Sequence, residues 1–257
     1  MKTKNNYILM VLIAVLFVAC EKNQVQQIDL PPSGAFLRVS NFAVGGPTVN
    51  VYANDKKVTA IGSLTGAEAS TGIAAYGIYP GTNSYINITE VGNVNLVAKT
   101  PSTAPTNPNI TTTTVPATLE AGKYYSFYTS GIYDATTKTS SGFVIEDVIP
   151  APDTAFAYVR IINTIPNATN GFNLNAVNTT TLAPIAIATP TAYKATSVFT
   201  KVPNGVYDLT STSVATPANI VITRAAVSFS KGFVYTIAAR GNALTASTRA
   251  LDLTRNR

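Results

Sequence analysis

An unbroken apolar run over residues 7–18 opens the chain, preceded by two lysines, Lys2 and Lys4. The run is too short to cross a bilayer, which takes about 20 apolar residues. Its order of basic residues, apolar run and small residue (Ala19) is typical of a secretory signal peptide. We therefore expect residues 1–19 to be removed on export.

Cys20 follows directly and is the only cysteine, which excludes a disulfide within the chain. The residues Phe-Val-Ala-Cys at 17–20 resemble a bacterial lipobox, although Phe17 stands where leucine is commonest. The resemblance implies an acylated, palmitate-bearing lipoprotein of the outer membrane, on either its periplasmic or its cell-surface face. The alternative is an incidental cysteine behind an ordinary cleavage site. Residues 20–34 are polar, end in Pro-Pro-Ser-Gly and read as a tether.

A repeat organises the rest of the chain. Residues 35–41, Ala-Phe-Leu-Arg-Val-Ser-Asn, return 122 positions later as residues 157–163, Ala-Tyr-Val-Arg-Ile-Ile-Asn. Alternate residues are apolar in both copies, as in a half-buried strand. A second strand is predicted after each, at residues 49–52 and 172–175.

Later parts of the two copies also correspond. Tyr85 and Tyr207 keep the spacing of 122, and each lies in a predicted strand behind a turn. The remaining predicted strand pairs are residues 122–127 with 232–237, and 143–145 with 250–253. Many short strands separated by Gly, Pro and Asn turns predict an all-β fold with two tandem antiparallel, Ig-like β-sandwiches. The predicted domains are residues 35–147 and 155–257, joined by a Pro-rich linker at 148–154.

Three features of the first copy resemble the DUF4397 domain family of bacterial envelope proteins, which is frequent in Bacteroidetes lipoproteins. They are the aromatic-aliphatic-Arg strand at 35–41, the Val-Asn-Val-Tyr strand at 49–52 and the strand after Ala-Gly-Lys-Tyr-Tyr at 121–125. The resemblance covers nearly all of residues 35–253. It implies a β-sandwich outside the cytoplasm, and it brings no catalytic residues because the family has no known function.

Composition narrows the classes of function. Charged residues make up 12% of the chain, well below the roughly 25% usual for soluble proteins. The 18 basic residues are scattered, whereas a nucleic-acid surface needs them clustered, so we expect no nucleic-acid partner. With no histidine, His-dependent triads are excluded. The carboxylates are dispersed, and the one adjacent pair, Glu146 and Asp147, points to opposite faces of a strand. We predict no enzyme activity, no metal and no cofactor.

Aromatic residues are the best candidates for ligand contact, because exposed rings stack on sugars and dominate protein interfaces. Tyr76 and Tyr79 lie beside a Gly-rich turn, while Tyr124 and Tyr128 belong to an aromatic cluster. The alternative for each ring is a place in the core. The Thr/Pro/Asn-rich residues 99–118 are predicted to be a long loop, either functional or a floppy hairpin extension.

Asp153-Thr154-Ala155 resembles a short O-glycosylation signal of Bacteroidetes, which makes Thr154 a candidate modification site. Taken together, these features predict a non-enzymatic envelope lipoprotein that is held to the membrane by its lipid. Its two modules are expected to form a binding or adhesion module for glycan or protein. The alternative is a structural or accessory subunit that docks on another envelope protein through strand edges.

Overall fold

The chain divides into two compact units, Met1–Pro32 and Ser33–Arg257, and only the second contains described residues. The predicted signal peptide, Cys20 and most of the predicted tether therefore lie outside the described residues. Within the described part, no helix is long and apolar enough to cross a membrane. The computed structural model describes residues 33–59, 71–168, 170–214 and 219–257.

Every named element of the described chain is a β-strand, which confirms the predicted all-β class. The strands of the first half are β1 (Ala35–Asn41), β2 (Asn50–Ala53), β3 (Lys56–Lys57), β4 (Ile78–Tyr79), β5 (Ile86–Ile88), β6 (Gly92–Lys99), β7 (Thr111–Leu119), β8 (Tyr124–Asp134) and β9 (Thr139–Glu146). The strands of the second half are β10 (Phe156–Asn163), β11 (Phe172–Asn178), β12 (Pro184–Thr191), β13 (Thr200–Pro203), β14 (Gly205–Val214), β15 (Asn219–Phe229), β16 (Val234–Asn242) and β17 (Thr245–Arg255).

The described strands form two sheets in each half. In the first half, one sheet has the order β4-β1-β8-β9, with β5 also paired to β1, and the other has the order β3-β2-β6-β7. In the second half the orders are β13-β10-β16-β17 and β12-β11-β14-β15. Each pair of sheets encloses an apolar core of its own, so the described chain is two β-sandwiches in tandem. We call the sheets that contain β1 and β10 the inner sheets and the others the outer sheets.

One pairing in each sandwich departs from the predicted antiparallel arrangement. β1 runs parallel to β8, and β10 runs parallel to β16, whereas the other strand pairs are antiparallel. A parallel pair needs a crossover between its strands. Between β1 and β8 the chain forms β2 and β3 of the outer sheet, returns to pair β4 and β5 with β1, forms β6 and β7 of the outer sheet, and then starts β8 from the same end as β1.

The predicted equivalence of Tyr85 and Tyr207 is wrong. Tyr85 lies directly before β5, which pairs with β1 of the inner sheet. Tyr207 lies in β14, which pairs with β11 of the outer sheet. The counterpart of β5 is β13, which pairs with β10. Tyr85 and Tyr207 keep the spacing of 122 residues by coincidence, because the loops before β5 and β14 differ in length.

The predicted long loop at residues 99–118 is also shorter than expected. β7 begins at Thr111 and pairs with β6 along its length, so the connection between the two strands covers residues 100–110. Threonine and valine suit a pleated, half-buried surface, which explains why this Thr-rich stretch forms a strand.

Both sandwiches point in the same direction. We call the end at which β1 and β10 begin the base, and the opposite end the top. The described chain starts at the base with Ser33, and β9 ends there just before residues 148–154. At the top lie residues 100–110 and the hairpin between β8 and β9.

The inner sheets face each other, and a ring of hydrogen bonds joins them near the base. Asp147 forms a buried ion pair with Arg160, whose Nε donates to Thr236 at 2.9 Å. Thr236 donates to Asn256 at 2.8 Å, and Asn256 donates to the Tyr85 hydroxyl at 2.7 Å. The Tyr85 hydroxyl donates to Asp147 at 2.8 Å and closes the ring. Because Asp147 is 2% and Arg160 is 3% exposed, solvent screens these interactions little.

Arg38 occupies the position of Arg160 in the first repeat and also reaches across the interface. Its Nη2 donates to the backbone carbonyl of Arg255 at 2.6 Å, and its guanidinium lies 4.1 Å from the centroid of the Tyr85 ring. Arg38 is 1% exposed. The arginine repeated in the two copies therefore holds one sandwich to the other.

An apolar cluster continues the interface toward the top. It contains three aromatic rings of the first sandwich and two aliphatic side chains of the second: Phe42, Tyr128, Phe143, Ile162 and Ala238. This contact buries the faces of β1 and β10 that point away from their own cores. Both strands are consequently buried on two sides, although their sequences alternate as if one side were exposed.

Candidate functional site

Two equivalent segments cross the tops of the sandwiches from the outer to the inner sheet. The first strap, residues 71–79, bridges Val49, directly before β2, through Ile73 and then pairs with β1 as strand β4. The second strap, residues 189–197, pairs with β11 through Thr191 and then bridges β10 through Thr196. The straps lie 118 positions apart in the sequence.

The asparagine that ends the repeated strand motif holds the first strap in place. Asn41 is 1% exposed, and its Nδ2 donates to the carbonyls of Pro47 and Ile73, each at 3.0 Å. Its Oδ1 accepts a hydrogen bond from Thr129 at 2.7 Å. The backbone N–H of Tyr76 donates to the Asn41 carbonyl at 2.7 Å.

Asn163 holds the second strap in place in a similar way. Its Nδ2 donates to the carbonyl of Thr191 at 3.0 Å, and its own carbonyl accepts from the N–H of Lys194 at 2.9 Å. Tyr76 and Lys194, the matching strap residues, both have a φ of 65°. This left-handed conformation is uncommon for residues other than glycine. It occurs at the same place in both straps, where the chain turns toward the inner sheet.

A cleft lies against each strap. The first strap cleft has a volume of about 340 Å³ and is lined by Thr71, Gly72, Ile73, Ala74, Gly77, Ile78 and Tyr79. A neighbouring cleft of about 460 Å³ shares Thr71, Gly72 and Ala74 with it and extends to Pro47, Thr48, Thr100, Pro101 and residues 103–106. The second strap cleft, of about 500 Å³, is lined by residues 186–192 and 195–198. Among the described lining residues of these three clefts, none is charged.

The straps also join the two sandwiches at the top. The Arg240 guanidinium of the second sandwich lies 4.0 Å from the centroid of the Tyr76 ring in the first strap. In the second strap, the Tyr193 hydroxyl lies 2.8 Å from the hydroxyl of Ser130 and 2.7 Å from that of Ser141, both in the first sandwich. The contacts at base and top therefore fix the separation of the two strap clefts.

The four tyrosines predicted as ligand contacts have different environments. Tyr79 is half-buried and lines the first strap cleft. Tyr76 is half-buried beneath Arg240. Tyr124 stacks on Phe36 with ring centroids 4.6 Å apart, near the base. The structure thus brings only Tyr79 of the four to the lining of a described cleft.

Tyr128 lies within the interface between the sandwiches, where its side chain is 2% exposed. Its ring stacks on Phe143 at a centroid distance of 5.2 Å. Burial, with a further contribution from the charge of Asp147, raises the pKa of the Tyr128 phenol to about 12. This burial leaves the ring no surface to offer a ligand and corrects the prediction for this residue.

The candidate glycosylation residue, Thr154, is exposed in the connection before β10. Asp153 beside it accepts a hydrogen bond from the N–H of Ala155 at 2.9 Å and pairs with Lys201 at 3.1 Å. These contacts, the Ala155 bond first, lower the pKa of Asp153. They order the backbone on both sides of Thr154, and its modification stays a prediction.

Among the described residues, no group of three or more His, Cys, Asp or Glu side chains is placed to hold a metal ion. Asp147, the most deeply buried carboxylate of the interface, is bonded to Arg160, Tyr85 and Ser126. The pair with Arg160 joins the two sandwiches, whereas Tyr85 and Ser126 belong to the same sandwich as Asp147.

Sequence reasoning missed the residues that build the top. Asn41 and Asn163 were visible as the last residue of the repeated motif, but a strand pattern alone does not tell what a terminal asparagine binds. The straps themselves share little beyond Thr71 with Thr189 and Ala74 with Ala192. Their equivalence emerges from the matching hydrogen bonds.

Comparisons with known proteins give no family for the chain. No family model matches it, and no curated protein matches it. Among solved structures, one similar chain is a "putative cell adhesion protein" from Bacteroides ovatus ATCC 8483, with 10% identity, a TM-score of 0.25, and coverage of 89% of this chain and 97% of that one. Another, described in the same words, is from Bacteroides fragilis NCTC 9343, with 10% identity, a TM-score of 0.24, and coverage of 86% and 98%. Likenesses of this size carry no argument about function.

Proposed function

We propose that this chain is a non-enzymatic, lipid-anchored envelope protein whose two DUF4397-like modules act together as a binding or adhesion module. The observation that carries the proposal is that the chain enters the sandwiches at the base, whereas the strap clefts lie at the top. The described chain begins at the base with Ser33. An acylated Cys20 upstream of Ser33 would attach the molecule through this end. The strap clefts would then face away from the membrane.

The interface between the sandwiches supports the same function. Asp147 and Arg160 join the sandwiches at the base, and Tyr193 and Arg240 join them at the top. A rigid pair of modules loses little conformational entropy when it binds, which favours recognition by preformed clefts. Ligand pockets are typically preformed and mostly apolar, with a few polar groups, as these clefts are.

Two labelled variants test which end binds. Ala135 is exposed in the hairpin between β8 and β9 at the top, and Lys231 is exposed in the turn before β16 at the base. Each is changed to cysteine in the full chain and coupled to a bulky maleimide polymer. We expect the Ala135→Cys conjugate to lose adhesion of cells to glycan- and protein-coated surfaces, and the Lys231→Cys conjugate to retain it. The reverse result would refute the assignment of binding to the top.

The anchor is tested on intact cells by protease digestion, with Cys20→Ala as the control. Digestion of the wild-type protein on unbroken cells would direct the search to external glycans and host proteins. Protection until the outer membrane is opened would direct it to envelope partners. Co-purification of a single stoichiometric partner would favour the accessory-subunit alternative.

A further inference from the structure

Building on the proposed function, we infer that the two strap clefts are equivalent subsites for one neutral polysaccharide with a repeating structure. The first observation is their correspondence. Seven residues line the first strap cleft, and the seven residues 118 positions later all line the second. Thr71 corresponds to Thr189, Ala74 to Ala192 and Gly77 to Ala195. Two clefts built from the same part of each repeat, and held by the same asparagine, suit two units of one ligand.

The second observation concerns charge. None of the described residues that line the strap clefts or the cleft next to the first strap is charged. A charged ligand would lose hydration there without a charged partner in return, which is costly. Neutral ligands avoid this loss, so the lining favours an uncharged molecule.

The third observation is the mixture of groups in the lining. Hydroxyl groups of Thr71 and Thr48 on the first side, and of Thr189 on the second, can both donate and accept hydrogen bonds. They alternate with alanine and proline surfaces, and Tyr79 adds one ring to the first strap cleft. Sugars have this same mixture of hydroxyl groups and apolar C–H faces. Proline-rich peptides, by contrast, dock in grooves lined by several aromatic rings.

The fourth observation is the fixed separation of the clefts. Because Arg240 contacts the first strap and Tyr193 of the second strap contacts Ser130, the straps keep one relative position. A long polymer that occupies both subsites gains from the high effective concentration of its second unit. Such linkage raises affinity by about 10²–10⁴-fold over a single site.

Matched substitutions in the two clefts test the inference. Ala74 and Ala192 are both exposed and occupy equivalent positions, so Ala74→Glu and Ala192→Glu place a charge in each cleft without disturbing a core. Ala135→Glu adds the same charge at the top but outside the cleft linings. The full chain is titrated with dextran, mannan and galactan as neutral polymers, with polygalacturonate as an acidic polymer, and with the trisaccharide of any sugar that binds.

We expect a neutral polymer to bind the wild-type chain and the Ala135→Glu variant equally. Each single cleft variant should lose about 100-fold or more in affinity for the polymer. The same variants should reduce the number of bound trisaccharides from two to one, and the double variant should bind none.

Three results would overturn the inference. They are preferential binding of polygalacturonate, binding of a proline-rich peptide that the cleft variants abolish, and neutral-polymer binding that the double variant retains. If binding survives in the double variant but a label at Ala135 blocks it, the proposed function stands and the subsite inference fails. If none of the neutral polymers binds and no other ligand is blocked by the label, both fail.

Discussion

Asp147 and Asn256 occupy equivalent positions in the two repeats and meet through the hydroxyl of Tyr85. The N–H of Asp147 donates to the carbonyl of Tyr124 at 2.7 Å, and the N–H of Asn256 donates to that of Val234, also at 2.7 Å. Tyr85 donates to Asp147 and accepts from Asn256. The backbone hydrogen bonds of these two residues are therefore alike in the two repeats, whereas their side chains differ in charge. The cost of removing a side chain from the interface consequently depends on which repeat it belongs to.

Replacing Asp147 with alanine should destabilise the protein strongly. Arg160 would remain buried without its carboxylate, and breaking such a pair costs about 3–5 kcal/mol of unfolding free energy. Urea denaturation measures the change. The control is Glu120→Gln, which breaks an exposed pair with Lys123 and should leave stability almost unchanged, because solvent screens such pairs. Equal effects of the two variants would contradict the buried network.

Alkaline pH should destabilise the protein through its buried tyrosines. Burial first, and then the charge of Asp147, raise the pKa of Tyr85 and raise that of Tyr128 to about 12. Above about pH 10 the unfolded chain releases these protons while the folded protein keeps them, so the unfolded state gains stability as pH rises. Each tyrosine should lower the free energy of unfolding by about 1.4 kcal/mol per pH unit between about pH 10 and 12.

Unfolding free energies measured across this range should fall less steeply in Tyr85→Phe than in the wild-type chain. The difference in slope should be about 1.4 kcal/mol per pH unit, because one titrating group has been removed. Tyr128→Phe provides an independent check with the same sign. Parallel curves for all three proteins would show that these phenols titrate alike in the folded and unfolded states.

Removing the asparagine that holds a strap should loosen that strap alone. In Asn41→Ala the carbonyls of Pro47 and Ile73 lose their side-chain donor, and in Asn163→Ala the carbonyl of Thr191 does. The Ile73 carbonyl keeps the N–H of Val49 as a partner, whereas a buried group left with no partner costs about 1–3 kcal/mol. Hydrogen exchange should accelerate in residues 71–79 of the first variant and in residues 189–197 of the second. Loss of protection in both straps of either variant would contradict their independence.

The two sandwiches should unfold as one cooperative unit. Calorimetry of the wild-type chain is expected to give a single transition because an ion pair, hydrogen bonds and the apolar cluster join the inner sheets. Combining Asp147→Ala with Tyr193→Phe removes contacts at both base and top, and should split the transition in two. A wild-type chain that already unfolds in two steps would show that the interface is weak.

The alternation of apolar residues predicted the repeated strands because one face of each strand packs in its own core. Leu37 and Val39 are fully buried there, and residues 35–41 and 157–163 form β1 and β10 as expected. The same alternation could not show what covers the other face. Arg38 and Arg160 read as outward-facing polar residues, yet each is buried against the neighbouring sandwich.

Features that depend on contacts distant in sequence were harder to predict. Tyr85 and Tyr207 kept the repeat spacing by coincidence, since spacing records chain length and not strand pairing. Tyr128 looked like a candidate contact, but the interface covers it. The straps were not predicted because their own backbone groups make the hydrogen bonds to Asn41 and Asn163. Every residue type carries such groups, so the strap sequences show no pattern.

The unequal charge of the interface has a consequence for how the repeats can be combined. Among the residues that the structure describes, it buries two guanidinium groups, Arg38 and Arg160, with a single carboxylate, Asp147. A pair of second repeats would contribute two arginines and two copies of Asn256, leaving two like charges facing each other with no counter-charge. The exchange of Asp147 for Asn256 therefore disfavours a pair of two second repeats, because only the first repeat supplies the carboxylate that the buried Arg160 needs.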